Sequence, residues 1–139
     1  MIRKKYEIWY MSYQGKPKTG YHVDRFLHQV PYSKVPDIYR ECDILIKTSV
    51  LESFSYPPLE MMAAGGYVVV VPNGGNIEYL VDGENCMMYQ QGDIDNALQC
   101  IERIVEDSEL RDRLYHKGIE TAKAREWSTI ERDIVRLYE

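Results

Sequence analysis

Two glutamates, Glu52 and Glu60, frame the stretch of this sequence that is best suited to chemistry. An ionised carboxylate only accepts hydrogen bonds, and its two oxygens match the two hydroxyl donors of a ribose cis-diol. Glu60 is predicted to lie in the first turn of a helix, whose unpaired backbone amides suit a phosphate. Glu52 lies on the preceding loop, where it could reach a sugar hydroxyl. The alternative is structural, with Glu60 favouring the helix dipole and Glu52 solvated.

A second turn, with the adjacent glycines Gly74 and Gly75, follows further along the chain. Glycine lets a backbone turn tightly and approach a ligand closely, so both residues are candidates for nucleotide binding. The alternative is a plain strand-to-helix turn in which Asn76 caps the helix and Glu78 lies in its first turn. The glycine pair alone does not decide between these two interpretations.

Two apolar runs predict the strands that position these turns. Residues 43–48 and residues 67–71 are short and apolar without polar alternation, which is typical of parallel strands covered on both faces. Residues 7–13 and 25–30 are weaker strand candidates. The loop with the glutamates leaves the carboxyl end of a predicted strand, where open α/β sheets bind their ligands.

Helical patterns alternate with these strands. Ser33 predicts a helix over 34–42, and a proline at the first position predicts another over 58–64, which Gly65 and Gly66 end. This order predicts an α/β fold: a Rossmann-like doubly wound parallel sheet with helices on both faces.

The last part of the chain is predicted to be a C-terminal helical segment. Asp93 or Asp95 can cap one amphipathic helix, and Ser108 can begin another. Residues 128–131 match a capping box, which predicts a last helix over 127–139. Its apolar stripe is narrow, so we expect this helix to fray or to pack against another copy.

The composition excludes several classes of function. The net charge is −5 and the basic residues are scattered, whereas a nucleic-acid surface needs a concentrated basic stripe. No apolar run approaches the roughly 20 residues that cross a bilayer. The three cysteines and three histidines lack ligand spacing, so neither a disulfide framework nor a metal site is predicted. We expect a cytoplasmic protein whose residues 1–139 form a single domain.

The segment from Glu52 to Glu60, ESFSYPPLE, resembles the paired-glutamate motif of retaining GT-B glycosyltransferases, the glycosyl transferases of group 1. The segments MMAAG, VVVV, GGNIE and VDGEN follow in the same order and spacing. The likeness runs from about Val30 to Lys123. Several linked motifs are far more specific than any one of them.

The resemblance implies that this chain is the C-terminal domain of a two-domain enzyme and holds the nucleotide sugar. Carried onto matching positions, it implies that Glu60 binds the ribose hydroxyls and that Glu52 is the catalytic residue, in contact with the donor sugar. Glu78 is implied to be structural. Further donor-binding residues lie on the two turns: Ser53, Phe54, Ser55, Tyr56, Gly74 and Gly75. The resemblance implies no cofactor, since the nucleoside diphosphate sugar is the substrate.

The whole protein is then expected to transfer a hexose to a glycan or lipid-linked glycan, in polysaccharide biosynthesis, with peripheral membrane association. The N-terminal acceptor-binding domain is missing from these residues, so we expect a truncated half that is inactive alone. The alternative is a non-catalytic nucleotide-binding or scaffolding domain of the same fold. A receiver domain would instead need a phospho-accepting aspartate where Thr48 stands.

The sequence departs from the family pattern at several positions. Ser55 stands where glycine is usual, so the loop turns differently or the sugar pocket is narrower. Cys86 stands where another glycine is common. The basic pair that neutralises the leaving diphosphate has no convincing counterpart, and Lys16 and Lys18 are partial substitutes at most.

Overall fold

The computed structural model describes residues 6–16 and 20–137. The chain divides into two compact units, Met1–Ile38 and Tyr39–Glu139. The prediction that residues 1–139 form one domain stays a prediction, and each unit is described by itself.

The first unit contains two parallel strands, β1 (Trp9–Ser12) and β2 (Arg25–His28), which pair with Trp9 opposite Arg25. Both strands fall inside the weaker candidates predicted from the sequence. The Arg25 guanidinium lies 3.8 Å from the centre of the Trp9 ring, a cation–π contact that favours this register. Of the two lysines considered as partial substitutes, Lys16 is exposed and Lys18 lies outside the described residues. A short 3₁₀ turn then leads into α1 (Val35–Glu41).

The second unit is built on a three-stranded parallel sheet in the order β3-β4-β5. Strands β3 (Ile44–Lys47) and β4 (Tyr67–Val70) pair with Ile44 opposite Tyr67, and β5 (Met87–Met88) pairs with the end of β4. Val68, Val69 and Val70 are fully buried. The continuous valine run is therefore a central strand, as its lack of polar alternation predicted.

Four helices complete the second unit: α2 (Tyr56–Ala63), α3 (Ile94–Glu106), α4 (Ser108–Ala124) and α5 (Trp127–Leu137). Parallel sheets with helices on both sides confirm the predicted Rossmann-like α/β class. One buried cluster joins β4 and β5 to α3 and α4; its members are Val69, Val71, Met87, Tyr89, Cys100, Ile104, Leu110 and Leu114. In the described part of the chain, no helix is long and apolar enough to cross a membrane.

Side-chain caps fix the starts of α3 and α4. Of the two predicted caps of α3, Asp93 is the one used: its carboxylate accepts the N–H of Asn96 at 2.9 Å. The Asp107 carboxylate accepts the N–H of Leu110 at 3.0 Å. The cap of α4 is therefore Asp107, and Ser108 is its first helical residue.

The predicted capping box at residues 128–131 is wrong. Helix α5 begins at Trp127, and the carbonyl of Glu126 accepts the N–H groups of Thr129 and Ile130 at 2.9 and 3.1 Å. Only two residues separate α4 from α5, and Ser128 is the second residue of α5. Because it is already helical, it cannot act as a cap. Trp127 and Leu137 are 71% and 83% exposed. The expectation that α5 frays or packs against a second copy stays a prediction.

Helix α2 begins two residues earlier than predicted, at Tyr56. Pro57 and Pro58 both fit its first turn, because N–H groups there have no partner inside a helix. Glu60 consequently lies in the second turn, and its predicted position in the first turn is wrong. Gly65, at φ +85°, ends the helix as predicted.

Candidate functional site

The loop between β3 and α2 begins at Lys47, the last residue of β3, on the carboxyl edge of the sheet. The Lys47 ammonium donates to Glu52 Oε1 at 2.7 Å and to Ser49 Oγ at 2.9 Å. The side chains of Lys47 and Glu52 are only 20% and 19% exposed. The predicted alternative of a solvated Glu52 is therefore wrong, because the carboxylate is mostly buried in an ion pair.

One oxygen of this carboxylate has no partner. Glu52 Oε2 is buried, and it makes no hydrogen bond to any residue that the structure describes. Ser55 Oγ is in the same situation, on a side chain that is fully buried. Two unpartnered polar atoms are expensive to bury, which makes this pair the strongest indication of a ligand-binding site.

The environment of Glu52 keeps it ionised. Burial, the largest single cause, would raise the pKa of its carboxyl, but the hydrogen bond and charge of Lys47 together with the polar groups of Ser55 and Asn73 outweigh it. The net result is a pKa lowered from the ordinary value of 4.5. Glu52 is thus a carboxylate at neutral pH and can only accept hydrogen bonds.

The glycine-rich turn after β4 is tied to this loop. The Ser55 N–H donates to the carbonyl of Gly75 at 2.9 Å, and Asn73 Nδ2 donates to the carbonyl of Ser49 at 2.8 Å. A Cβ on Gly75 would lie 2.7 Å from the carbonyl oxygen of Glu52. Gly75 therefore permits a backbone-to-backbone contact that supports Glu52, whereas a Cβ on Gly74 would meet open space.

The predicted alternative for this turn, a helix capped by Asn76, is wrong. Residues 74–79 form successive turns. The fully buried Asn76 accepts the N–H of Asn73 at 2.9 Å and donates to the carbonyl of Val71 at 3.0 Å. Asparagine side chains thus satisfy backbone groups that would otherwise pair within a helix. Glu78 is exposed and lies 3.5 Å from Arg125, at an ion-pair distance.

Tyr79 joins the end of this turn to the loop. Its buried hydroxyl donates to the carbonyl oxygen of Ser55. Burial, the largest cause, raises the pKa of Tyr79 to about 12, so the phenol stays protonated. Its ring lies 5.5 Å from Phe54 and 5.2 Å from the Arg125 guanidinium.

Glu60 faces a different place, an open groove of about 400 Å³ that runs from α2 to the start of α5. The groove is lined by Phe54, Tyr56, Leu59, Glu60, Ala63, Ala122, Arg125, Glu126 and Ile130. The structure thus brings the predicted residues Phe54, Tyr56 and Glu60 together on one surface. Glu52, Ser55 and Gly75 form a separate cluster behind the loop, while Ser53 and Gly74 are exposed.

Few backbone amides remain for an anion at the start of α2. Pro57 and Pro58 have no N–H, and the Ser55 N–H is already bonded to Gly75. On either side of Ser55, Phe54 and Tyr56 each carry an N–H group. The prolines are evident in the sequence, so this restriction was predictable.

Three residues of the site were missed in the sequence: Lys47, Asn73 and Tyr79. A lysine inside the apolar run DILIK was the one available sign, because a charged side chain is rarely buried without a partner. Among the described residues no group of His, Cys, Asp or Glu could hold a metal ion. Cys86, the other departure from the family pattern, is fully buried, and burial raises its pKa to about 12.

The model of the family described as "Glycosyl transferases group 1" matches residues 20–121. The chain belongs to the group 1 glycosyl transferases. This match covers the loop between β3 and α2, the turn after β4, and the groove residues from Phe54 to Ala63. It ends before the remaining groove residues, which begin at Ala122.

Two curated relatives resemble this group 1 chain over part of its length. It is 33% identical over 101 residues to the O-antigen biosynthesis protein RfbC of Myxococcus xanthus, covering 73% of this chain and 8% of that one. It is 37% identical over 79 residues to the lipopolysaccharide core biosynthesis glycosyltransferase LpsE of Rhizobium meliloti, covering 57% and 23% respectively. The chain thus spans less than a quarter of either relative.

Two solved structures share the fold of this group 1 chain. One is the C-terminal domain of the group 1 family protein LpcC from Francisella tularensis, with a TM-score of 0.65, 25% identity, and coverage of 73% of this chain and 52% of that one. The other is HepE from Anabaena, with a TM-score of 0.72, 23% identity, and coverage of 83% and 32%. The likeness to HepE supports the fold alone.

Proposed function

We propose that this chain is the C-terminal, donor-binding domain of a retaining glycosyltransferase that uses a nucleoside diphosphate sugar. The observation that carries the proposal is the Glu52 carboxylate at the carboxyl edge of β3. It is ionised and held by Lys47 through one oxygen, while the other oxygen is buried beside Ser55 without a partner among the described residues. A sugar hydroxyl is a donor that such an oxygen can accept.

The groove on the other side of the loop is the proposed place of the nucleoside. Its volume of about 400 Å³ lies within the range of small-molecule sites. Tyr56 is 65% exposed and offers an aromatic face to a base. We propose that the Glu60 carboxylate accepts the ribose hydroxyls and that the amides of Phe54 and Tyr56 bind the diphosphate that connects the two positions.

In the proposed reaction, the bond between the anomeric carbon and the diphosphate breaks, an acceptor hydroxyl bonds to that carbon on the same face, and the hydroxyl proton passes to the released diphosphate. Charge develops on the leaving diphosphate, and backbone dipoles directed at it would stabilise the transition state. The acceptor, a glycan or lipid-linked glycan, must be held in line by another domain. We propose that this chain binds the donor and that transfer requires that second domain.

Calorimetric titration with UDP, GDP and ADP and their glucose or mannose conjugates tests the proposal. Hydrogen bonds to charged groups are worth about 1.5–3 kcal/mol, so Glu60→Gln should weaken binding of nucleotide and conjugate alike about ten- to a hundredfold. Glu52→Gln should weaken binding of the conjugate more than that of the free nucleotide.

The matched control is Glu120→Gln, which changes an exposed carboxylate on α4. It should bind like the wild type, and melting curves should show that all three variants are folded. Equal affinities of the wild type and Glu60→Gln, at equal stability, would reduce Glu60 to a structural residue and contradict the proposed nucleoside site.

One observation favours the alternative of a non-catalytic nucleotide-binding or scaffolding domain. The start of α2 has lost two amides to Pro57 and Pro58 and a third to the bond between Ser55 and Gly75, which weakens an anion site. Binding alone does not separate the two functions. Transfer activity of a longer chain that also carries a basic Arg/Lys loop would favour the enzyme, and binding without transfer in that chain would favour the scaffold.

A further inference from the structure

We infer that Lys47 is a positioning residue for the donor sugar: it fixes one oxygen of Glu52 so that the other, beside Ser55 Oγ, accepts a sugar hydroxyl. The inference rests on the proposed function and deepens it. Lys47 lies outside both the paired-glutamate motif and the glycine-rich turn, so its role is not part of either motif. The inference also predicts that Glu52 Oε2 and Ser55 Oγ bind the same ligand hydroxyl.

The geometry of Lys47 suits this role. It is the last residue of β3, opposite the buried Val70 of β4, so its backbone is fixed by the sheet. Two of the three ammonium hydrogens have acceptors, Ser49 Oγ and Glu52 Oε1. The strand fixes the backbone of Lys47, and Ser49 Oγ and Glu52 Oε1 fix its ammonium group. The Glu52 carboxylate, bonded to this ammonium, therefore has little freedom to rotate.

The fixed orientation leaves Glu52 Oε2 buried, with no hydrogen-bond partner in the described part of the chain. Ser55 Oγ lies close enough to lower the Glu52 pKa, yet neither atom makes a hydrogen bond of good geometry to the described residues. A sugar hydroxyl can satisfy both, because it donates to Oε2 and accepts from the serine hydroxyl. Ser55 thereby gains a chemical function where the family usually has glycine.

An ordinary exposed ion pair in the same chain shows the contrast. Lys117 and Glu120 lie 3.0 Å apart on α4, with side chains 51% and 67% exposed. Such surface pairs contribute little, because water and salt screen them. The pair of Lys47 and Glu52 is mostly buried, so removing the lysine leaves a carboxylate without compensation.

The groups that face Glu52 determine how its carboxylate responds to the loss of the lysine. Lys47 lies on β3, Ser55 on the loop, Asn73 after β4, and Tyr79, whose phenol pKa is raised to about 12, on the turn beyond. Only Lys47 among them carries a charge at neutral pH. In Lys47→Met, burial is opposed only by neutral groups, so the Glu52 pKa should rise and the carboxylate should lose its fixed orientation.

The experiment compares the wild type, Lys47→Met, Lys47→Arg and the matched control Lys117→Met. Carboxyl ¹³C NMR titration measures the Glu52 pKa, with Glu52→Gln assigning the resonance. Calorimetry measures the affinities for UDP, GDP and ADP and for their glucose conjugates. Lys47→Met should raise the Glu52 pKa and weaken binding of the sugar conjugate about tenfold more than binding of the free nucleotide.

Lys47→Arg keeps the positive charge, so its Glu52 pKa and its affinity for the conjugate should lie between those of Lys47→Met and the wild type. Lys117→Met should change neither the Glu52 pKa nor the affinity.

Each outcome is decisive. An unchanged Glu52 pKa in Lys47→Met, or equal losses for conjugate and free nucleotide, would overturn the inference. If Lys47→Met does not fold, Lys47→Gln, which keeps a donor without the charge, replaces it beside Lys47→Arg. If the wild type binds no nucleotide, the proposed function fails and the sugar-binding part of the inference fails with it. A Glu52 pKa that still depends on Lys47 would then leave an ion pair with a structural role only.

Discussion

The two glutamates of the paired motif lie in opposite surroundings. Glu52 is mostly buried, is bonded to Lys47, and belongs to a loop that is tied to the turn after β4. Glu60 lies in the second turn of α2 and lines an open groove that reaches α5. Eight positions of sequence thus separate a carboxylate in a mostly buried ion pair from a carboxylate on an open groove.

This difference indicates a division of tasks. A buried carboxylate with one oxygen committed is preorganised and discriminates among ligands, because only a donor in the right place relieves the unpartnered atom. A carboxylate on an open groove places a weaker restriction on the position of the ligand's donor group. Substitutions in the Glu52 cluster should therefore have large effects, and matched substitutions at the groove or on exposed turns should have small ones.

The largest effect is expected for Gly75→Ala, because its new Cβ would lie 2.7 Å from the Glu52 carbonyl oxygen. Backbone must move to relieve this overlap, so we expect a loss of about 2–3 kcal/mol in the free energy of unfolding. Urea denaturation measures it. The matched control Gly74→Ala, where the Cβ meets open space, should lie within about 0.5 kcal/mol of the wild type. Equal stability of the two variants would contradict the backbone contact.

A smaller effect is expected for Tyr79→Phe, which removes the hydroxyl that donates to Ser55. The buried carbonyl then loses its partner, at a cost of about 1 kcal/mol or somewhat more. Tyr56→Phe makes the same chemical change on a ring that is 65% exposed and should be close to neutral. Thermal melting measures both variants. Equal melting temperatures for Tyr79→Phe and Tyr56→Phe would show that the Tyr79 hydroxyl contributes no more stability than the exposed Tyr56 hydroxyl.

The smallest effect concerns acid. Because the folded-state pKa of Glu52 is lowered from 4.5, its stabilising contribution is complete above that pH and is lost as pH falls through the folded value. Glu52→Gln lacks this carboxylate, so its urea midpoint should fall less than that of the wild type between pH 6 and pH 3. If the urea midpoints of the two proteins fell by the same amount between pH 6 and pH 3, Lys47 would not stabilise the ionised form of Glu52.

Much of the fold could be predicted because its rules are local. The valine run of β4 and the Asp93 cap of α3 follow from patterns within a few residues. The cap of α5 and the turn after β4 could not be predicted. The carbonyl of Glu126, in place of the Ser128 side chain, accepts the first amides of α5, and the buried Asn76 side chain stabilises successive turns where a helix was the predicted alternative. In the site, Glu52 and Glu60 were recognisable as a pair. Their separation into two surroundings depends on Lys47 and Tyr79, which long-range packing brings to the loop.

The two consecutive prolines at the start of α2 have a consequence for the entropy of binding. Each fixes one backbone torsion in the unfolded chain as well as in the folded one. The turn that leads from Ser55 into α2 is therefore partly ordered before any ligand arrives, and less motion remains to be lost on association. The same prolines that remove amides from the proposed anion site also restrict the backbone of Tyr56, which directly precedes Pro57. A weaker attraction for an anion is thus combined with a smaller entropic cost of binding.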